Sequence, residues 1–162
     1  MAVKIRLMHP GEETSVSDLI VRTFQQDVAP LYEKQGIREF LSYVTPEAML
    51  RRQARKHVML VAIQDAGLVG TLELREYKHV SLLFVEVTKQ RKGIGRKLME
   101  EALQLCKTHH PGIREITVNA SPNAVEAYKR FRFHATGELQ VKNGIGFVPM
   151  ILPLESVNAA NS

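Results

Sequence analysis

The sequence predicts a single α/β domain built on a mixed β-sheet, and three observations carry that expectation. Short alternating or wholly apolar runs are interspersed with stretches of helical periodicity along the chain. The runs are closed by turn residues, among them Asp65-Ala66-Gly67, Pro111-Gly112 and Asn143-Gly144. The length, 162 residues, suits one core, and 44% apolar with 24% charged residues is the balance of an ordinary globule.

Each element follows from its own pattern. Residues 3–8 set Val3, Ile5 and Leu7 against Lys4 and Arg6, a strand that Pro10-Gly11 closes. Residues 12–28 carry a helical stripe of Val16, Leu19, Ile20, Thr23 and Phe24. Pro30 interrupts it, and residues 31–55 read as helix in pieces, broken at Gly36 and Pro46. Thr45 before Pro46 and Glu47 marks a helix start, with an N-cap followed by proline at the first position. Strands follow at 57–64 and 68–75. Residues 79–87 are almost continuously apolar, as in a strand buried on both faces. A helix at about 94–108 places Ile94, Leu98, Ala102, Leu105 and Cys106 on one face. A strand at 114–120, a short helix from Ser121-Pro122 to about Arg130, and a hairpin of 133–141 with 145–154 complete the order. The domain runs over 1–155, and the small polar residues 156–162 read as a disordered tail.

Composition narrows the function. No apolar run approaches the length of a membrane span, and the N-terminus lacks the apolar core of a signal peptide, so a cytoplasmic protein is expected. The single cysteine excludes an internal disulfide and a cysteine-based zinc finger. Cys106 reads as a buried structural thiol rather than a reactive nucleophile. The net charge of +5 suits an anionic partner. The densest basic stretch, Arg51, Arg52, Arg55, Lys56 and His57, reads as a solvated helix face. It has no interleaved aromatics to stack bases, which disfavours nucleic acid. His109 and His110 end a helix, where they complement its dipole, and no metal site is expected.

The most informative stretch is 85–97. An apolar strand feeds a turn containing Gly93 and Gly95 that opens directly into a helix. The free amides of that helix start carry partial positive charge, and Arg91, Lys92, Arg96 and Lys97 surround them. The corner can hold a phosphate. It matches neither the P-loop nor the dinucleotide pattern, since Leu98 stands where the latter needs its third glycine. The bland alternative is a glycine corner that merely joins strand to helix.

Gln90-Arg91-Lys92-Gly93-Ile94-Gly95 resembles the Q/R-x-x-G-x-G/A signature of the GNAT superfamily of N-acetyltransferases. Residues 119–133, from Asn119 through Asn123 and Tyr128 to Phe133, resemble its second cofactor segment, which usually ends in Tyr-x-x-x-Gly-Phe. The resemblance implies a mostly antiparallel sheet of about seven strands with one splayed pair, flanked by about four helices. It implies acetyl-CoA as co-substrate and an amine as acceptor, with no metal. The pantetheine arm would lie in the splay against the backbone of Val85 and Val87. Gln90 and the turn residues Arg91, Lys92, Gly93, Ile94, Gly95, Arg96 and Lys97 would hold the pyrophosphate, and Asn119 and Asn123 would meet the cofactor. Tyr128 would protonate the leaving thiolate of coenzyme A; the alternative is a core tyrosine. Arg132 departs from the family pattern, which has glycine there. A left-handed conformation at that point costs an arginine about 1 kcal/mol.

Amine attack needs a proton acceptor. Glu73 and His79 are equal candidates, with Glu86 behind, and each could instead be an ordinary paired polar group. In the family the acceptor lies between the N-terminal helices and the C-terminal hairpin, here near Phe24, Tyr32, Phe40, Tyr43 and Phe147. Few acids cluster there, so a polycationic acceptor is disfavoured. Two other classes stay open: a silent acetyl-CoA-binding sensor and a basic nucleic-acid-binding domain. Relatives often pair through sheet edges, which leaves a homodimer open.

Overall fold

The computed structural model of the protein describes residues 2–154, and the tail expected at 156–162 lies outside them. The strands are β1 (Lys4–Leu7), β2 (His57–Gln64), β3 (Gly67–Arg75), β4 (His79–Val85), β5 (Glu115–Ala120), β6 (His134–Ala135), β7 (Gln140–Lys142) and β8 (Ile145–Pro153). The helices are α1 (Glu13–Asp27), α2 (Lys34–Tyr43), α3 (Pro46–Gln53), α4 (Ile94–His109) and α5 (Val125–Arg130). The sheet runs β1-β2-β3-β4-β5-β8-β6, with β7 folded onto β8. Every pairing is antiparallel except β4 with β5. The sheet is thus mixed and mostly antiparallel, as the resemblance implied.

Alternation along the strands gives the sheet two apolar faces. Leu60, Leu72, Leu74, Ile116 and Met150 face α4, whose Ile94, Leu98, Ala102 and Cys106 recur every fourth residue. Met59, Val61 and Leu82 face the other way, against Val16 and Ile20 of α1 and Met49 of α3. Gly70 sets how close α4 comes. A Cβ there would stand 3.1 Å from Leu98 Cδ1, 3.2 Å from Ile94 Cγ2 and 3.3 Å from the Phe84 carbonyl. The bare glycine therefore seats the first turn of α4 against the middle of the sheet.

Most local signals hold. The Thr45 hydroxyl accepts from the Ala48 N–H at 3.1 Å, with Pro46 opening α3. Gly36 departs from expectation: it lies inside α2 rather than breaking a helix. A Cβ at Gly36 would collide with the carbonyl of Gly144, so the glycine serves a backbone-to-backbone contact between α2 and the β7–β8 turn. The expected strand over 133–141 is also split into β6 and β7. Beyond Ala135 the partner position is Pro149, which offers a carbonyl to Thr136 at 2.9 Å but has no N–H to return.

Candidate active site

Strands β4 and β5 touch at only two registered pairs, His79 with Thr117 and Val80 with Val118, and then diverge. A bulge marks the point of departure. Glu73 of β3 pairs with Leu82 and Leu74 with Val80, so Ser81 has no β3 partner. Past the bulge, β4 stays with β3 while β5 follows β8. A cavity of about 780 Å³ fills the split. It reaches from the start of α4, between the two strands, to α1 and α2 on the opposite side of the sheet.

The edge of β4 that faces this gap can be read from the ladder. The Glu86 N–H bonds the Val69 carbonyl at 2.8 Å, so by antiparallel alternation Phe84 and Leu82 use their backbone groups toward β3. Leu83 and Val85 turn theirs to the gap, and both line the cavity. Val87 does not line it. It lies in a 3₁₀ turn, Val87–Lys89, whose first carbonyl folds back toward the Gln90 amide. The pair of backbone positions expected at Val85 and Val87 is therefore Leu83 and Val85. The resemblance placed the pair by position in the motif, and Val87 falls past the end of β4 at Val85.

The corner after this turn is built from two left-handed residues, Arg91 at φ 62° and Gly93 at φ 86°. Gly93 is the residue before α4, and its side of the helix start carries no capping side chain, so the first amides of α4 keep their donors for something else. The Gln90 side chain donates to the Asp27 carboxylate at 3.0 Å and to the Val85 carbonyl at 3.1 Å, tying the corner to α1. Gln90, Arg91, Gly93, Ile94, Gly95 and Arg96 line the cavity; Lys92 and Lys97 do not, and project from the surface. Arg130 adds a cation that the sequence reading passed over.

On the other flank Asn119, Asn123 and Tyr128 all line the cavity. Asn123 Oδ1 accepts from Ser121 Oγ at 2.7 Å, which fixes its side chain. Tyr128 is 5% exposed, and burial pushes its phenol well above the usual tyrosine range. Its helix ends as the resemblance required, without the glycine. Arg132 takes φ 74°, the Phe133 amide bonds the Tyr128 carbonyl at 3.0 Å, and the Arg132 amide bonds Lys129 at 2.9 Å. Phe133 packs edge-on against the Tyr128 ring at 5.3 Å, the apolar contact that accompanies such a cap.

The α1–α2 end of the cavity is walled by Thr23, Asp27, Tyr32, Phe40 and Phe84. Phe40 stacks on Phe24 at 4.0 Å and leans on Phe84 at 5.7 Å. Phe24, Tyr43 and Phe147, also expected here, do not line the cavity.

Neither base candidate lines the cavity either. The Glu73 side chain is fully buried. Arg52 grips it in a fork, Nε to Oε1 at 3.0 Å and Nη2 to Oε2 at 3.1 Å. His57 Nδ1 lies 3.0 Å from Oε1, and the Tyr43 hydroxyl donates to the same oxygen at 3.2 Å. Two members of the basic stretch, Arg52 and His57, thus turn inward, while Arg51 and Arg55 stay on the surface. His79 sits beside the split with Nδ1 2.7 Å from Thr117 Oγ1. Burial, then the charges of Arg75 and His57, push its imidazole down to about 4. Glu86, ranked third, pairs with Arg22 at 2.8 Å on the surface. Cys106 is buried in the α4 face, its thiol pushed up to about 11 by burial.

The family model described as an acetyltransferase (GNAT) domain matches residues 28–154. Among solved structures, the GCN5-related N-acetyltransferase of Rhodopseudomonas palustris superposes with a TM-score of 0.82 at 19% identity, over 95% of this chain and 97% of that one. The PaiA N-acetyltransferase of Thermoplasma acidophilum, solved in complex with coenzyme A, gives 0.74 at 20% identity over 95% and 100%. Ard1 of Thermoplasma volcanium gives 0.70 at 20% over 96% and 100%. No curated protein sequence matches the chain. Identities this low speak to the fold alone, whereas the family match covers most of the sequence. The protein belongs to the GNAT family of acetyltransferases.

Proposed function

We propose that the protein is an N-acetyltransferase that binds acetyl-CoA and a primary amine together and transfers the acetyl group by direct attack. One observation carries the reading: a single cavity joins the cationic helix start on one side of the sheet to an aromatic-walled recess on the other, through the β4–β5 split. Two reactants entering from opposite sides would meet at the split.

The residues present fit coenzyme A. Free amides at the start of α4, with Arg91 and Arg96 beside them, suit a pyrophosphate. The Leu83 and Val85 backbone groups suit the amides of a pantetheine arm, in the manner of an added strand. Bound there, acetyl-CoA supplies an activated acyl carbon. This chain's part is to orient it, exclude water and move protons. Tyr128 is the acid: a phenol kept protonated by burial can donate to a departing thiolate. The buried thiol of Cys106, away from the cavity, supports direct attack over a covalent acetyl-enzyme. The recess, with apolar rings and the one carboxylate of Asp27, supports a small amine or a peptide N-terminus over a polycation.

Calorimetric titration with acetyl-CoA, followed by thiol release across a panel of amines and short peptides, tests the reading. Tyr128→Phe should lower kcat by about 10²–10⁴-fold and leave acetyl-CoA affinity unchanged. Absence of saturable binding at millimolar acetyl-CoA refutes it.

A further inference from the structure

One side chain of the corner sits where the cofactor reading places a backbone contact. Leu83 and Val85 turn their amides and carbonyls to the β4–β5 gap, and both line the cavity. The Val85 carbonyl already has a donor, for Gln90 Nε2 lies 3.1 Å from it. The same nitrogen lies 3.0 Å from Asp27 Oδ2. Both partners can only accept, so it is the nitrogen of the Gln90 amide, not its oxygen, that faces them. That nitrogen has two hydrogens, and the two contacts use both. Gln90 is exposed and Val85 half-buried, and both line the cavity with Asp27, so a ligand in the cavity reaches all three.

The local chain produces this arrangement. Strand β4 ends at Val85, and the 3₁₀ turn Val87–Lys89 brings the chain back so that Gln90 reaches the carbonyl five residues behind it. Arg91, with its left-handed φ of 62°, then leads away toward Gly93 and the start of α4. A second tie, Arg22 to Glu86 at 2.8 Å, fastens α1 to the same segment, so that junction does not depend on Gln90. The surroundings of the Gln90 amide do not suit a phosphate. An anion within reach of its nitrogen would stand beside the Asp27 carboxylate, of like charge.

We propose that the Gln90 side chain is a latch on the Val85 carbonyl, held by Asp27, that competes with the pantetheine arm for this acceptor and makes no contact with the phosphates. The proposal rests on the acetyl-CoA reading and assigns how the gap admits the arm. For Val85 to bond an arm amide as a neighbouring strand would, Gln90 gives up the carbonyl. It keeps Asp27, because a carboxylate is the stronger of its two acceptors. One hydrogen bond is exchanged for another, so the contact at Val85 adds little net affinity, while Leu83 has no such competitor. The amides of α4, with Arg91 and Arg96, are untouched by the exchange. When the arm withdraws, Gln90 closes on the carbonyl again, which favours release of coenzyme A.

Gln90→Met keeps the length of the side chain and removes both donors; Gln90→Ala removes the bulk as well. Wild type and both variants are titrated calorimetrically with acetyl-CoA and with adenosine 3′-phosphate 5′-diphosphate, which carries the phosphates without the arm. The ratio of the two affinities reads the contribution of the arm. In Gln90→Met the latch predicts a rise in that ratio of about 3–10-fold, the range of one net hydrogen bond, with nucleotide affinity within twofold of wild type. Dissociation of coenzyme A, followed by stopped flow, should slow by a similar factor. If Gln90→Met melts well below wild type, Gln90→Ala is read by the same criteria. A ratio within twofold of wild type overturns the proposal; it is the result if the Val85 carbonyl accepts from both donors at once. Equal weakening of both ligands also overturns it, since a phosphate contact at Gln90 gives that result. A wild type that takes up neither ligand overturns the cofactor reading itself, and the latch falls with it.

Discussion

Replacing Arg52 by Met leaves a fully buried carboxylate without its cation. Three hydrogen bonds disappear, two to Glu73 at 3.0 and 3.1 Å and one to the Tyr43 carbonyl at 2.6 Å, together with the guanidinium's seat 3.6 Å over the Tyr43 ring. The aliphatic stem is nearly conserved, so little packing is lost. What remains is Glu73 with zero exposure, held by His57 and Tyr43 alone. Breaking such a pair from one side costs about 3–5 kcal/mol, because the remaining charge stays desolvated. In a chain of this size each kcal/mol moves the melting temperature by about 2–4 °C, so a fall of roughly 6–20 °C is expected. Arg51→Met and Arg55→Met, on the exposed side of the same stretch, should stay within about 0.5 kcal/mol of wild type. Urea unfolding and thermal melts of the three variants read this directly. A loss below about 1 kcal/mol for Arg52→Met, or an equal loss at all three positions, would refute the buried ion pair and return Arg52 to the solvent.

Two further outcomes follow from the geometry. The His79 imidazole is held down to about 4, below its unfolded value, so the stability tied to its neutral form is complete above about pH 6.5 and is lost as pH falls toward 4. His79→Gln should flatten wild-type unfolding free energy across that window by as much as about 3 kcal/mol, measured by urea titration at successive pH values. Gly70→Ala should cost about 1–3 kcal/mol through overpacking against Leu98 and Ile94, and should weaken acetyl-CoA binding in calorimetry because the start of α4 is displaced.

Much of this was legible in residues whose neighbours in sequence decide their conformation. Thr45-Pro46 announced a helix start because cap and proline act on adjacent amides, and Asn143-Gly144 announced a turn because both residues accept positive φ. The turn at Asp65-Ala66-Gly67 was announced as well, but the conformation of its residues was not. Asp65-Ala66 and Glu76-Tyr77 adopt the same positive φ values, against the preference of Ala66 and Tyr77, because the strands on either side pair and the turn must close. Gly36 misled for the opposite reason: its meaning is a contact with Gly144, over a hundred residues away.

The site divides in the same way. The glycine corner at 91–95 and the helix that follows it are local, and the sequence by itself determined them, together with the order of strands and helices and the family they belong to. The left-handed helix end at Arg132 came from the resemblance alone, since arginine does not itself announce that conformation; the structure completes it with the Arg132 and Phe133 amides bonded to Lys129 and Tyr128. Only the tertiary structure decided which edge of β4 faces the gap, because a one-residue bulge at Ser81 shifts the register and no hydropathy pattern records it. It alone decided that Arg52 and His57 point inward to Glu73, since a charge is solvated or buried according to what a distant strand presents to it. Periodicity reports a segment's own faces; partnership across the sheet depends on the whole chain having folded.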